Sequence, residues 1–557
     1  MSLPLIALLF LVAISLGYHF YGRWIAGLFA LHTAVVTPAH QQNDGIDFVP
    51  TKKFYLLGQH FSAIAAAGPI AGPILACQQF GWLPCLLWIG FGVIFIGAVH
   101  DFSTLIGSVR HQGKSIAEII RINIGQKAWL GLMIFIWIAL LYVIIAFTDI
   151  TAGTFVGRIE ELEGVQVSFE RGGAVAAASI SYLLLAVVMG VVQKKWNPPL
   201  WLITVIFVPA TLLVVWGGTK ISTWLIFSKL TWGIGILAYC FIASLLPVWV
   251  LLQPRGYLGG FVLYMALAIG VIGAFFGGYP IEQSAFKTWN APGLTGSLFP
   301  FLFVTIACGA CSGFHGLVCS GTTSKQIDKE PDCHAVGYGG MLLEGFVALI
   351  ALTTIMIVAD DQVKGPPGAI YGAGIGRFLT LLLGKENLLF AITFGTMAFS
   401  TFVFDTLDVT TRLGRYILQE LFGRKDRVTG GIATLLTVAI PGVLVAFAPE
   451  GGWLHFWVLF GTSNQLLAGL SLLGLTVWLY KTSRPYGYVL LPMLFVMTIT
   501  FWSLLRQIQS AYQKYLNEGW AGGIGLINGL VALILCLLAS FIIFEAYRVI
   551  TLRKKEV

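Results

Sequence analysis

Asp405, Asp408 and Arg412 stand at positions i, i+3 and i+7 of an otherwise apolar stretch, a spacing that puts them on one helix face. A carboxylate facing a cavity there can bind a proton or a sodium ion and become neutral before it moves. Arg412 can hold a neighbouring carboxylate ionised, or clamp a ligand carboxylate with two parallel bonds. The competing reading is a structural ion pair at the helix end, because a basic loop follows Arg412. Asp149 ends an earlier apolar segment at the corresponding place in the first half of the chain.

Other ionisable side chains are set in apolar sequence. Glu344 lies inside GYGGMLLEGFVALIAL, where a carboxylate must be paired or protonated. His60 and His315 each sit inside a hydrophobic segment, and histidine titrates near neutral pH, which suits a proton relay. A hydrogen-bonded core histidine is the alternative. His100 and Asp101 close a further apolar segment, where they read either as part of such a relay or as an interfacial cap. Cys308, Cys311, His315 and Cys319, spaced 3, 4 and 4, form one helical stripe. One straight helix cannot wrap four ligands round one ion, so no metal is expected there.

The elements that carry these residues are membrane helices. Of 557 residues, 57% are hydrophobic and 10% charged, against about 25% charged in soluble domains. The chain is therefore expected to be an all-α polytopic membrane protein with little soluble mass. Fifteen hydrophobic segments read as spans: 3-22, 57-77, 84-107, 128-150, 174-193, 199-217, 231-252, 257-277, 298-320, 338-359, 388-411, 428-448, 453-480, 486-505 and 525-548. A sixteenth, 366-384, is short, opens on Pro366-Pro367-Gly368, and reads as re-entrant or extracellular. With that assignment 23 of the 33 Lys and Arg fall on one side. The positive-inside rule makes that side cytoplasmic, with the amino end outside and the carboxyl end inside. The acidic loop Arg158 to Arg171, with Glu160, Glu161, Glu163 and Glu170, then falls outside. The net charge of +8 is a topology signal, and no basic run interleaves with aromatics as a nucleic-acid surface would. KSIAEIIRINIGQK (114-127) has the period of an amphipathic helix lying on the cytoplasmic surface. Seven of the eight cysteines lie in or beside apolar segments and read as packing residues.

Two segments break the helical pattern. GQHFSAIAAAGPIAGPILA (58-76) carries Gly68-Pro69 and Gly72-Pro73, and FPFLFVTIACGACSGFHGLVCSGTTS (299-324) carries Gly309, Ser312, Gly313, Gly316 and Gly321. Gly/Pro-interrupted membrane segments in corresponding places of two halves point to a transporter's binding site. Unwound backbone is tolerated at membrane depth where it lines a cavity. The breaks fall in the second and ninth spans, and an odd offset makes the two halves point opposite ways, as inverted repeats do. Repeats of 57-277 and 298-548 follow, with 1-22 as an accessory helix. Gly68, Pro69, Gly72, Pro73, Ser312, Gly313 and His315 are the expected substrate-binding residues. His60, Asp101, Glu344, Asp405, Asp408 and Arg412 are the expected ion-coupling residues. The free amino end of a half-helix would face a substrate carboxylate.

Soluble-enzyme motifs are absent. Gly113-Lys114-Ser115 looks like the end of a phosphate loop, but Ser108 stands where the first glycine belongs. There is no HExxH and no GxSxG, so neither an enzyme nor coupling to ATP is expected, and an ion gradient is left as the energy source. A channel or sensor, or a membrane-embedded enzyme using the Cys/His stripe, are the rival classes.

The stretches NDGIDFVPTKKFYLLGQHFSAIAAAGPIAGPILA (43-76), GAVHDF (97-102), LPVWVLLQPRGYL (246-258), LFPFLFVTIACGACSGFHGLVCSGTTSK (298-325), GYGGMLLEGFVALIAL (337-352) and GTSNQLLAG (461-469) resemble the carbon starvation protein A family. The resemblance spreads over nearly the whole chain. It implies a bacterial or archaeal cytoplasmic-membrane transporter of peptides, with some relatives taking up pyruvate. It also implies kinship with the amino acid–polyamine–organocation superfamily and its LeuT-like core of five-helix inverted repeats. The partners implied are a peptide or pyruvate, a coupling proton or sodium ion, and the lipid bilayer, with no nucleic acid and no cofactor. GPIAGP and SGFHGLVCSGTT match family motifs, and Asp408 with Arg412 falls in a family-like D-x3-R pattern. Asp405, Cys311 and Cys319 do not belong to those patterns.

Overall fold

The computed structural model describes residues 2–162, 165–291, 296–363, 365–448 and 453–556. Glu163 of the acidic loop lies outside the described residues. The flanks of that loop form a two-stranded antiparallel hairpin, Ile159–Leu162 with Val165–Phe169, and most of the other described residues are helical. The chain divides into two units, each drawing on both sequence halves. One comprises Met1–Ala7, Leu140–Ser284 and Ile350–Leu454; the other comprises Leu8–Ala139, Ala285–Leu349 and His455–Val557.

Among the described residues, 12 helices are long and apolar enough to cross a membrane, or 13 if the bent pair Lys53–Ile64 and Gly68–Phe80 counts as one span. Two segments expected as spans fall short of that test for physical reasons. Residues 231-252 fold as the 17-residue helix Lys229–Leu245, ended before Pro247. Residues 298-320 fold as two pieces, Leu298–Thr305 and Gly313–Gly321. The segment expected as re-entrant is a 17-residue helix, Pro367–Leu383, with Pro at its first position. It is no exposed loop: Ile370, Tyr371, Ile375 and Phe378 are buried, and Gly372 and Gly376 lie against Thr396 and Ile392 of the helix Leu388–Leu421.

The first unit is built round that 34-residue helix. Its neighbours include Arg171–Trp196, Lys229–Leu245, Leu252–Phe276 and Arg427–Ala446. Local sequence sets their starts. Ser228 accepts from the Thr231 amide and Asp426 from the Thr429 amide, each satisfying a donor that the first helical turn leaves free.

The second unit is built round the two broken spans. Lys53–Ile64 and Gly68–Phe80 meet at 47° across Ala65–Ala67. Pro69 lacks the amide that would reach back to the Ala65 carbonyl and carry the hydrogen-bond ladder through this turn, while Pro73 lies inside the second helix. The partner span unwinds between Thr305 and Gly313. The two spans pack closely: a Cβ on Gly72 would lie 2.6 Å from the Thr305 main-chain carbonyl oxygen, and one on Gly68 would overlap the Cys308 side chain. Only glycine fits so close an approach. The amphipathic stretch folds as the short helix Ile116–Asn123, capped by Ser115. Its apolar face (Ile116, Ile119, Ile120) is buried in protein, and the Ile116 amide donates to Ser320 Oγ at 2.9 Å. The expected surface helix is thus docked against the second half of a broken span.

Candidate functional site

In the second unit four helices bring ionisable side chains to one place. His60 comes from Lys53–Ile64, His100 and Asp101 from Ala98–Arg110, His315 from Gly313–Gly321, and Glu344 from Gly339–Met356. None is more than 1% exposed. His315 is the bridge. Its Nδ1 lies 2.8 Å from Asp101 Oδ2 and its Nε2 lies 3.0 Å from Glu344 Oε2. Asp101 Oδ1 in turn is 2.7 Å from His100 Nδ1. The Glu344 contact is within ion-pair range but off the hydrogen-bond line, and among the described residues neither Glu344 oxygen nor His100 Nε2 has an aligned partner.

A neutral imidazole has one donor and one acceptor nitrogen. With a carboxylate facing each nitrogen, His315 needs either both protons or a protonated carboxyl on one side. With His315 charged and both acids ionised the trio carries −1; one more proton makes it neutral. A net charge at bilayer depth costs about 2.5–3.5 kcal/mol on insertion scales. The trio therefore has two proton occupancies of different net charge. Glu344, His315, Asp101 and His100 follow one another along one path, with contacts of 3.0, 2.8 and 2.7 Å.

His60 stands beside this path. Its Nδ1 is 2.9 Å from Thr323 Oγ1, and its Nε2 is 4.0 Å from Cys319 Sγ.

The main chain at the second break is held by protein. Asn464 Oδ1 accepts from the Phe314 amide at 2.9 Å, while its Nδ2 donates to Ser312 Oγ at 3.1 Å and Cys308 Sγ at 3.3 Å. Trp457 Nε1 donates to the Thr305 carbonyl at 3.2 Å, and Gln465 Nε2 to the Phe303 carbonyl at 3.4 Å. All three belong to the helix Trp453–Lys481. The amino end of Gly313–Gly321 is therefore capped by Asn464, where the sequence suggested an open anion site. Gly68, Pro69, Gly72 and Pro73 are buried, and the first three pack on the partner span.

The first unit holds a second cluster. Arg255, fully buried in Leu252–Phe276, reaches Asp405 Oδ1 through Nη2 and Asp408 Oδ2 through Nη1, both at 2.5 Å. The Tyr239 hydroxyl donates to Asp408 Oδ2 at 2.8 Å, and the Tyr182 hydroxyl donates to the Arg255 carbonyl at 2.9 Å. Asp405 is 31% exposed, so this cluster has one open side. Arg412 is not the carboxylates' hydrogen-bond partner. Its Nη2 donates to the carbonyls of Ala243 and Leu246 at 2.9 and 2.8 Å, tying down the end of Lys229–Leu245. Asp149 pairs with Lys229 at 2.8 Å. Apolar surface grooves of about 430 and 520 Å³, lined by Leu11 to Phe20 and by Ser181 with Ala210 to Ile221, border neither cluster.

The sequence pointed to His60, Asp101, His315, Glu344, Asp405 and Asp408; it missed Arg255, Tyr239, Thr323 and Asn464 as their partners. A lone Arg in the apolar run 231-277, and the polar triplet Ser463-Asn464-Gln465 inside an apolar helix, were the available signals.

Comparison with known proteins adds the following. The chain matches the carbon starvation protein CstA family over residues 2–370 and 362–503. It is 34% identical to a peptide transporter CstA of Helicobacter pylori, across 90% of this chain and 82% of that one. It is 31% identical to the peptide transporter CstA of Bacillus subtilis, across 96% and 95%. It is 30% identical to the pyruvate/proton symporter BtsT of Escherichia coli, across 87% and 79%. Among solved structures, a manganese transporter of Eremococcus coleocola matches with a TM-score of 0.45 at 15% identity, covering 90% of this chain and 97% of that one.

Proposed function

Since the chain belongs to the carbon starvation protein CstA family, we propose that it is a secondary active transporter that imports small peptides, coupled to proton flux through the His315 cluster. The observation that carries this reading is His315 held between Asp101 and Glu344, with His315 itself on a half-helix of a broken span. Taking up a proton changes the trio's charge. Coupling requires that this change favour one of the two access states over the other. The finer architecture belongs to the same reading: inverted repeats of 57-277 and 298-548, a LeuT-like core, about 15 spans, amino end outside and carboxyl end in the cytoplasm. Its support is the pair of broken spans, the Lys/Arg asymmetry and the number of apolar segments.

The experiment is uptake of a labelled dipeptide into proteoliposomes under an imposed pH gradient, with a sodium gradient as the second arm. Glu344→Gln should abolish gradient-driven accumulation while peptide–peptide exchange persists. Accumulation at the wild-type level by that variant would remove Glu344 from the mechanism, and sodium-driven accumulation would replace the proton. A second reading, pyruvate or another small carboxylate as cargo, rests on the likeness to the named pyruvate/proton symporter. Pyruvate accumulation without peptide accumulation would establish it.

A further inference from the structure

The cysteine stripe of the second broken span does not assemble into a site. Cys308 turns to Asn464. Cys319 instead meets side chains from two other helices. His60, Asp101 and Cys319 offer ligand atoms that all lie within 4.8 Å of one another, and among the described residues this is the one such grouping of three His, Cys, Asp or Glu side chains. We propose that these three side chains form a binding site for one thiophilic divalent transition cation of the zinc class.

Three observations carry the proposal. The first is geometry. A tetrahedral ion with bonds of about 2.3 Å to sulfur and about 2.1 Å to nitrogen sets those two ligands about 3.6 Å apart. Cys319 Sγ and His60 Nε2 stand 4.0 Å apart, long for a hydrogen bond and a few tenths of an ångström from an ion's span.

The second is orientation. The contact from His60 Nδ1 to Thr323 Oγ1, 2.9 Å, places a hydroxyl on the nitrogen away from the site, a partner able to accept from Nδ1–H and so leave the Nε2 lone pair for an ion beside Cys319. Asp101 is held by His100 and His315. Metal-ligating imidazoles and carboxylates are positioned in this way by a second layer of hydrogen bonds. The His60 ring also has room made for it, since a Cβ on Gly340 would lie 2.9 Å from its Cδ2.

The third is charge. Binding displaces the Cys319 thiol proton to water, leaving a thiolate and the Asp101 carboxylate to match a dication. A buried cluster needs that neutrality. One thiolate and one imidazole select zinc, cobalt or nickel over magnesium and calcium, which take oxygen ligands.

The proposal does not rest on the transport reading, because metal content is measured on protein that moves nothing. The full chain is purified from cells grown with added zinc, washed with chelator, and its zinc counted by elemental mass spectrometry. About one zinc per chain is expected. Cys319→Ser and His60→Ala should each lower that at least about tenfold, while Cys308→Ser and Cys311→Ser, on the same stripe, keep it. Protein grown with cobalt should show a near-ultraviolet thiolate-to-cobalt band that Cys319→Ser lacks. Wild-type protein retaining less than about a tenth of an equivalent, or monodisperse Cys319→Ser protein retaining as much as wild type, overturns the site. Either result makes the Cys319–His60 contact an S–H···N hydrogen bond.

Discussion

Each unit of the chain sets one basic side chain between two carboxylates, and the two basic groups differ in kind. In the first unit Arg255 lies between Asp405 and Asp408. In the second, His315 lies between Asp101 and Glu344. A guanidinium keeps its charge at any physiological pH, whereas an imidazole does not. The carboxylates also differ in origin. Asp405 and Asp408 share one helix, three residues apart, so their separation is fixed by the backbone. Asp101 and Glu344 come from separate helices, so their distance to His315 depends on how those helices pack. The arginine cluster has the construction of a brace, and the histidine cluster that of a switch.

The difference is open to direct attack. Arg255→Met should have the largest effect. It strands two carboxylates, one of them buried, and breaking such a pair costs about 3–5 kcal/mol. A large drop in melting temperature of the purified protein is expected, with partial recovery in the Arg255→Met/Asp408→Asn double variant. Undiminished thermal stability in the single variant would end the brace reading.

His315→Gln should do the reverse, because its amide can still donate to one of the two buried carboxylates that His315→Ala would strand. The protein should still be recovered folded, with the accumulation ratio in proteoliposomes falling about 5–150-fold, the usual range of a coupling free energy. Retained accumulation would mean that the imidazole is not the switch.

Asp408→Asn decides whether the brace also couples. Loss of gradient-driven uptake by folded protein would bring Asp408 into the ion pathway. Uptake at the wild-type rate would confine it to structure. Tyr239→Phe should be the mildest. It removes one of two donors to Asp408 Oδ2, worth about 1 kcal/mol of stability, and should leave uptake within about fivefold of wild type. A melting temperature as low as that of Arg255→Met would show that the tyrosine, not the arginine, holds the acid.

Much of this was legible in the sequence because the signals are local. A lone proline does not break a helix here, since Pro209, Pro441 and Pro492 lie inside continuous ones; the first broken span could be read because Gly68-Pro69 and Gly72-Pro73 repeat the two weakest helix formers four residues apart. An ionisable residue in apolar sequence stands out on its own, which is how His60, Glu344 and Asp408 were found. What pairs with what is not local. Arg255 follows Gln253-Pro254, which reads as a turn between two spans. Proline is tolerated in the first turn of a helix, so the helix starts at Leu252 and carries Arg255 inside. Arg412, near the carboxylates in sequence, lies on the same long helix but reaches back to the end of Lys229–Leu245. Cys319 and His60 are 259 residues apart, and only the packing of one broken span on the other brings them within reach.

Asn464 gives the second break an internal tenant. Its amide group occupies the Phe314 N–H and the Ser312 hydroxyl that an incoming anion would seek. Any guest drawn to that helix end must evict a side chain that is already bonded there and has nowhere to diffuse. An anion at that helix end competes with Asn464 for the Phe314 amide.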